Sequence, residues 1–252
     1  MQPTTIAVGL TLYQEEFNDL RSLEFFNDFD YVYVYCNSEI NDDISAHKNV
    51  ILLGNDGCNV GLSRALNRII DTCKADNLLL IDQDTLLNKS FIDTIKKLGA
   101  AENTLYAPRM IEPIGYTQSA KWVLTAGMYS KLEVFKKVRF NHDVFLDFSD
   151  IEFCMACLND GVSLCHINTY ITHNLGNTIT NSIFGKKFYV TNHMPFRYLL
   201  MNRSLIALMK SNRIRLADKW QMVRHYALIF FQVLMFEESL KWDKLKRLLG
   251  YE

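Results

Sequence analysis

Proline and glycine are scarce, four and eleven in 252 residues, with no Gly/Ser/Pro-rich linker, internal repeat or low-complexity segment. Collagen-like and disordered chains are thereby excluded. Uninterrupted apolar runs are short as well. The longest candidate, Tyr226 to Phe236, is broken by Gln232 and falls short of the roughly 20 residues a bilayer span requires. Cysteines are few and scattered: Cys36, Cys58, Cys73, Cys154, Cys157 and Cys165 have no spacing of a small disulfide scaffold. The chain begins without a basic stretch, apolar core and cleavage site, which predicts free thiols in a cytoplasmic protein. Excess charge is missing too, since a formal −1 argues against a nucleic-acid partner.

What is present is a 49% apolar chain, ample for a large core. Its charge is uneven. Residues 186–252 hold 13 Lys and Arg against 5 acids, a balance of +8; residues 1–185 hold 14 against 23, or −9. The two parts are expected to meet different partners.

Apolar patterning predicts strands at Thr4–Leu12, Tyr31–Tyr35, Val50–Leu53 and Asn77–Ile81, separated by helical stretches. Leu62, Ala65, Leu66, Ile69, Ile70 and Cys73 recur at helical spacing. Asn88 or Ser90 is suited to cap a further helix with Phe91, Ile95 and Leu98 inward. Such alternation predicts an α/β fold with an open, mostly parallel Rossmann-like sheet, whose ligands bind beyond the carboxyl ends of the strands. Later come short strands near Thr104–Ala107 and Trp122–Tyr129, and a helix near Leu132–Val138. A helix over Asp150–Asn159 and a strand over Val162–Ile167 follow. Helices over Phe196–Lys210, Ala217–Phe236 and Ser239–Leu249 complete the pattern. The expected organisation is a catalytic domain over residues 1–192 and a basic helical appendage over 193–252.

The chemistry concentrates in acids. Asp82-Gln83-Asp84 follows four apolar residues, Leu78 to Ile81, at the end of the fourth strand. Two carboxylates there are costly to ionise together without a cation, and oxygen ligands of this kind suit Mg²⁺ or Mn²⁺ with phosphate. The competing reading is an acidic turn that caps the next helix. A second group, Asp147, Asp150 and Glu152, lies among Phe145, Phe148 and Phe153. Asp150 and Glu152 fit a helix start, but aromatic neighbours also desolvate a carboxylate and make it a candidate general base. His173 follows a strand; it is either structural or the imidazole of the metal site. Cys154-x-x-Cys157, near Cys165 and His166, puts both thiols on one apolar helix face with Phe153 and Leu158, a pattern that argues against structural zinc.

Taken in order, Asn59-Val60-Gly61-Leu62-Ser63-Arg64-Ala65-Leu66-Asn67 and Leu78-Leu79-Leu80-Ile81-Asp82-Gln83-Asp84-Thr85 resemble the family 2 glycosyltransferases, closest to the bacterial rhamnosyltransferase branch. Glu133 to Val138, Phe145 to Cys154, His173-Asn174-Leu175-Gly176 and His193-Met194-Pro195-Phe196-Arg197-Tyr198 are similar to later segments of that branch. The resemblance covers about residues 5–205. It implies a GT-A fold and an inverting transfer of a sugar from a nucleotide-sugar, L-rhamnose from dTDP-rhamnose as first choice, in bacterial cell-surface polysaccharide synthesis. A galactofuranosyl or other hexosyl donor carried by UDP is the alternative. By the same resemblance Asp82, Asp84 and His173 hold Mg²⁺ or Mn²⁺, and Asp150 is the base toward a saccharide or lipid-linked acceptor. Thr11, Tyr13, Asn37, Asn59, Arg64, Asp82 and Gln83 line the nucleotide-sugar pocket, and Asp147, Glu152 and Trp122 lie on the acceptor side. Two departures stand out: Tyr35-Cys36-Asn37-Ser38 replaces a family acid near the second strand's end, and Met155-Ala156 replaces an arginine.

Other readings remain. A phosphatase of the haloacid dehalogenase type needs D-x-D-x-T, and here the threonine comes one residue too early. A non-catalytic nucleotide-sugar-binding protein would not need Asp150. The basic C-terminal helices read as solvated faces, as a surface for the inner face of an anionic plasma membrane, or as a homo-oligomer contact built on Leu228, Ile229, Phe231, Leu234 and Met235.

Overall fold

The computed structural model describes residues 4–40, 47–54, 56–112, 116–173, 178–183, 186–191, 193–237 and 239–251. The chain divides into two compact units, residues 1–142 with 150–174, and residues 143–149 with 175–252.

The first unit is built on one nine-stranded sheet. Its strands are β1 (Ile6–Leu12), β2 (Tyr31–Cys36), β3 (Val50–Gly54), β4 (Asn77–Asp82), β5 (Thr85–Leu86), β6 (Thr104–Glu112), β7 (Tyr116–Thr117), β8 (Met128–Lys131) and β9 (Ser163–His173). They lie in the order β3-β2-β1-β4-β8-β6-β9-β5, with β7 beside β6. β1 to β4 are mutually parallel, β8 runs antiparallel between β4 and β6, and β6 and β9 are parallel. This is the open, mostly parallel sheet that the sequence predicts.

The apolar run of β4 feeds both faces, as a strand covered on both sides must. Leu79 and Ile81 join Val8, Leu10, Val34, Phe91 and Ile95 in one core. Leu78 and Leu80 join Ala7, Tyr33, Leu66, Ile69 and Ile70 in the other. Full burial of each such leucine contributes roughly 2 kcal/mol before conformational entropy is counted.

Helix α1 (Leu62–Thr72) lies against β1 at Gly9, where an added Cβ would come within 2.7 Å of Ile69 Cγ2. Helix α2 (Lys89–Leu98) is capped by Asn88, whose side chain accepts the Phe91 N–H at 2.9 Å. Leu98, expected inward, is exposed because the helix ends there at Gly99. Helix α3 spans Leu132–Val138, and α4 spans Ser149–Asn159, all but Ser149 within this unit. Cys154 and Cys157 are buried in the second core beside Phe153, whereas Leu158 is 37% exposed. The strand expected at Trp122–Tyr129 forms only over Met128–Lys131, and β9 runs six residues beyond its expected end.

The second unit holds an antiparallel hairpin, β10 (Thr178–Ile183) with β11 (Lys186–Thr191), that sequence patterning did not reveal. Its helices are α5 (Pro195–Lys210), α6 (Leu216–Phe236) and α7 (Lys241–Leu248), close to the expected spans. A buried polar cluster ties them together. Tyr198 Oη donates to Glu237 Oε1 at 2.9 Å, and Lys244 forms an ion pair with the same carboxylate. Burial and the neighbouring Arg197 push the His193 imidazole down to about 4. The expected helical appendage from residue 193 onward lies within this unit, together with residues 143–149 and 175–192. Among the described residues no helix is long and apolar enough to cross a membrane.

Candidate metal and nucleotide site

The site forms where the parallel strands end. Asp82 is the last residue of β4, in register with Thr11 near the end of β1. The chain then turns, and the two-residue β5 pairs antiparallel with the end of β9, setting Thr85 opposite His173. That short pairing brings together an acid pair and a histidine some 90 positions away in the chain. His173 Nδ1 lies 3.0 Å from Asp84 Oδ1, and Nε2 lies 3.6 Å from Asp82 Oδ2. One candidate ligand atom from each of the three falls within 4.8 Å of the others.

Two hydroxyls hold Asp82 in place. Thr125 Oγ1 donates to its Oδ1 at 2.8 Å, and Thr85 Oγ1 accepts its backbone N–H at 3.1 Å. Burial pulls the His173 imidazole down, but the hydrogen bond to Asp84 and the charges of Asp82 and Asp84 outweigh it, and the net shift is upward. Two carboxylates and an imidazole, partly buried and held from behind, match the donor set that Mg²⁺ or Mn²⁺ takes. The residues fit the ion, and these three would hold it.

The expected nucleotide-pocket residues gather around the same strand ends. The Tyr13 N–H donates to Gln83 Oε1 at 2.9 Å, joining the loop after β1 to the turn after β4. Asn37 follows β2; its Oδ1 accepts the Val60 N–H at 3.0 Å and so draws in the loop before α1. Asn59 Oδ1 accepts the Gly61 N–H at 2.9 Å, and Gly61 caps α1 at φ +82°, a region that suits glycine. Tyr13 and Arg64 are exposed, with Arg64 Nε donating to the His142 carbonyl at 3.3 Å.

The expected acceptor-side and catalytic residues are placed less uniformly. Asp150 is half-buried in the first turn of α4, not at its cap, with Oδ1 accepting the Ile151 N–H at 2.8 Å. Trp122 packs against the second core of the first unit. Glu152 is fully buried, with Asn141 Nδ2 donating to it at 3.4 Å, so its carboxylate has no surface to offer an acceptor. Asp147 belongs to the second unit, where both its oxygens take the Arg197 guanidinium at 3.0 and 3.4 Å. Asn174, Leu175 and Gly176 of the histidine motif lie outside the described residues.

Sequence reasoning passed over four residues at this site. Thr85 and Thr125 brace Asp82, and Arg21 Nη1 lies 3.5 Å from the Asp84 carbonyl. Burial first, then the charge of Asp84, raises the Glu15 carboxyl. Only Thr85 carried a signal, as the residue that closes Asp82-Gln83-Asp84-Thr85.

No protein-family model and no curated protein matches this sequence. Among solved structures, the chain is similar to TarS of S. aureus, residues 1–349, in complex with UDP-GlcNAc. That match has a TM-score of 0.55 at 13% identity and covers 97% of this chain and 79% of that one. A mannosyltransferase, PcManGT from Pyrobaculum calidifontis in complex with GDP-Man and Mn²⁺, matches with a TM-score of 0.58 at 11% identity. It covers 98% of this chain and 85% of that chain. At such identity the likeness concerns the fold: this is the mixed α/β, mostly parallel architecture of these glycosyltransferases, with a helical C-terminal region.

Proposed function

We propose that the protein is a metal-dependent glycosyltransferase that takes its sugar from a nucleotide-sugar. The observation that carries this reading is the Asp82–Asp84–His173 cluster at the carboxyl end of β4, on a fold shared with a mannosyltransferase bound to GDP-Man and Mn²⁺. Mg²⁺ or Mn²⁺ held by these three would offset the negative charge that grows on the departing diphosphate. The chain's own groups do the rest. Asn37, Asn59 and the backbone around Tyr13 shape the nucleotide pocket, and Arg64 supplies an exposed cation to a phosphate. Asp150 accepts the proton of an acceptor hydroxyl as it attacks the anomeric carbon, and a single displacement inverts that centre.

For the donor, the ordered motifs favour dTDP-L-rhamnose. UDP-sugars come second, on the strength of the TarS complex with UDP-GlcNAc. The acceptor is a saccharide or lipid-linked saccharide of the cell surface, and the protein acts in the cytoplasm.

Thermal unfolding with a panel of dTDP-, UDP- and GDP-sugars, with and without Mn²⁺, tests this. A ligand that binds only the folded state at about a hundred times its Kd adds about 2.7 kcal/mol. One donor is expected to raise the melting temperature by several degrees in the presence of Mn²⁺ alone. A panel with no metal-dependent shift would remove the support for donor binding.

A further inference from the structure

Helix α6 carries apolar residues on two opposite sides. Met222 and Val233 are buried within the second unit. On the other side Leu216, Trp220, Leu228, Phe231, Leu234 and Met235 are each between 39% and 68% exposed. At 100° per residue these six fall within an arc of about 120°, along a helix about 30 Å long. A solvated helix face is ordinarily polar. This one holds a single charge, Arg224, with Arg215 standing just before the first turn. Ile229, grouped with this face on sequence grounds, turns to the half-buried side instead.

The chemistry of the face selects its partner. Tryptophan beside aliphatic side chains and arginines is the composition of helices that lie in the boundary between headgroups and acyl chains. The +8 of residues 186–252 is attracted to an anionic surface. Pairing with a second copy fits less well. An isologous contact through the middle of α6 would set Arg224 beside its own twin, and like charges brought together without water are costly. A bilayer offers phosphates to the same arginine.

We propose that the outward face of α6 is a lipid-docking surface, lying in the plane of an anionic bilayer without crossing it. The proposal uses only residues of the second unit and does not depend on the transfer reaction.

Co-sedimentation of the full chain with phosphatidylcholine vesicles, with and without phosphatidylglycerol, tests it. Binding is expected on the anionic vesicles at low salt and little on the neutral ones. Arg215→Gln with Arg224→Gln should weaken binding by about tenfold or more, at roughly 1 kcal/mol per cation near the surface. Trp220→Glu with Phe231→Glu should abolish it. Because all four side chains are exposed, both double variants should keep the wild-type melting temperature, which separates lost docking from lost folding. Absence of binding to anionic vesicles would overturn the proposal, as would binding that neither variant weakens. A wild-type dimer in sedimentation equilibrium that Trp220→Glu with Phe231→Glu dissolves, without vesicle binding, would assign the face to a second copy.

Discussion

Each side chain at the candidate metal site is set by neighbours of very different sequence distance. Asp82 and Asp84 were legible because they sit two positions apart after an apolar strand, where unneutralised acids are costly. Thr125 was not, because the fold brings it to Asp82 from 43 residues away, and a lone threonine carries no pattern. Its hydroxyl fixes which oxygen of Asp82 faces the cluster. Thr125→Val keeps the shape of this buried side chain and removes that donor. The expected result is a loss of Mn²⁺ affinity by about 10- to 100-fold, the usual effect of deleting a group that orients a metal ligand. A calorimetric Mn²⁺ titration would read it. Unchanged affinity would show that Asp82 needs no brace.

Among elements, strands and helices with near-continuous or helically spaced apolar residues were readable, and the hairpin of β10 and β11 was missed. β1, β2, β4 and α1 carry near-continuous or helically spaced apolar residues. The hairpin of β10 and β11 is made of mostly polar residues with no such stripe. β9 runs on past Asn168, a residue that locally favours a turn, because its ladder with β6 shifts register there and resumes at Met110 and Tyr170.

The joint of α5, α6 and α7 was equally silent, since Tyr198 lies 39 residues before Glu237, and Lys244, seven residues after it, belongs to a different helix. Glu237 and Lys244 are 3% and 1% exposed, so their pairing is a requirement on the helices around it. Lys244→Met leaves a buried carboxylate without its cation and is expected to cost about 3–5 kcal/mol in chemical denaturation. Adding Glu237→Leu should recover part of that loss, because two apolar groups need no pairing while the Tyr198 hydroxyl loses its acceptor. A double variant as unstable as the single one would locate the defect in packing.

For the molecule as a whole, strand order carries more than sequence identity does. Matches at 11–13% identity share the architecture over nearly the whole chain, so the sheet survives where few side chains are common. The place of the candidate site was readable for the same reason: topology leaves room for a ligand beyond the carboxyl ends of parallel strands. Sugar specificity has no such rule, because it rests on individual contacts to a ligand.

Topology also leaves open whether the chain turns a donor over or merely binds it, and Asp150 decides between the two. If the protein is a transferase, Asp150→Asn removes the proton acceptor and keeps the shape, while the Asp82–Asp84–His173 cluster and the strand-end pocket are untouched. Metal-dependent stabilisation by the donor should then persist at wild-type level. The turnover number should fall by about 10²- to 10⁴-fold, the range attributed to a lost general base. A variant that loses both would place Asp150 in donor binding, and one that keeps full turnover would free it of the base role. A wild-type chain that binds donor with Mn²⁺ and transfers to no saccharide acceptor would be a nucleotide-sugar-binding protein on a glycosyltransferase frame. The binding and rate measurements must therefore be made on the same preparation, because only their divergence in Asp150→Asn assigns the chemistry.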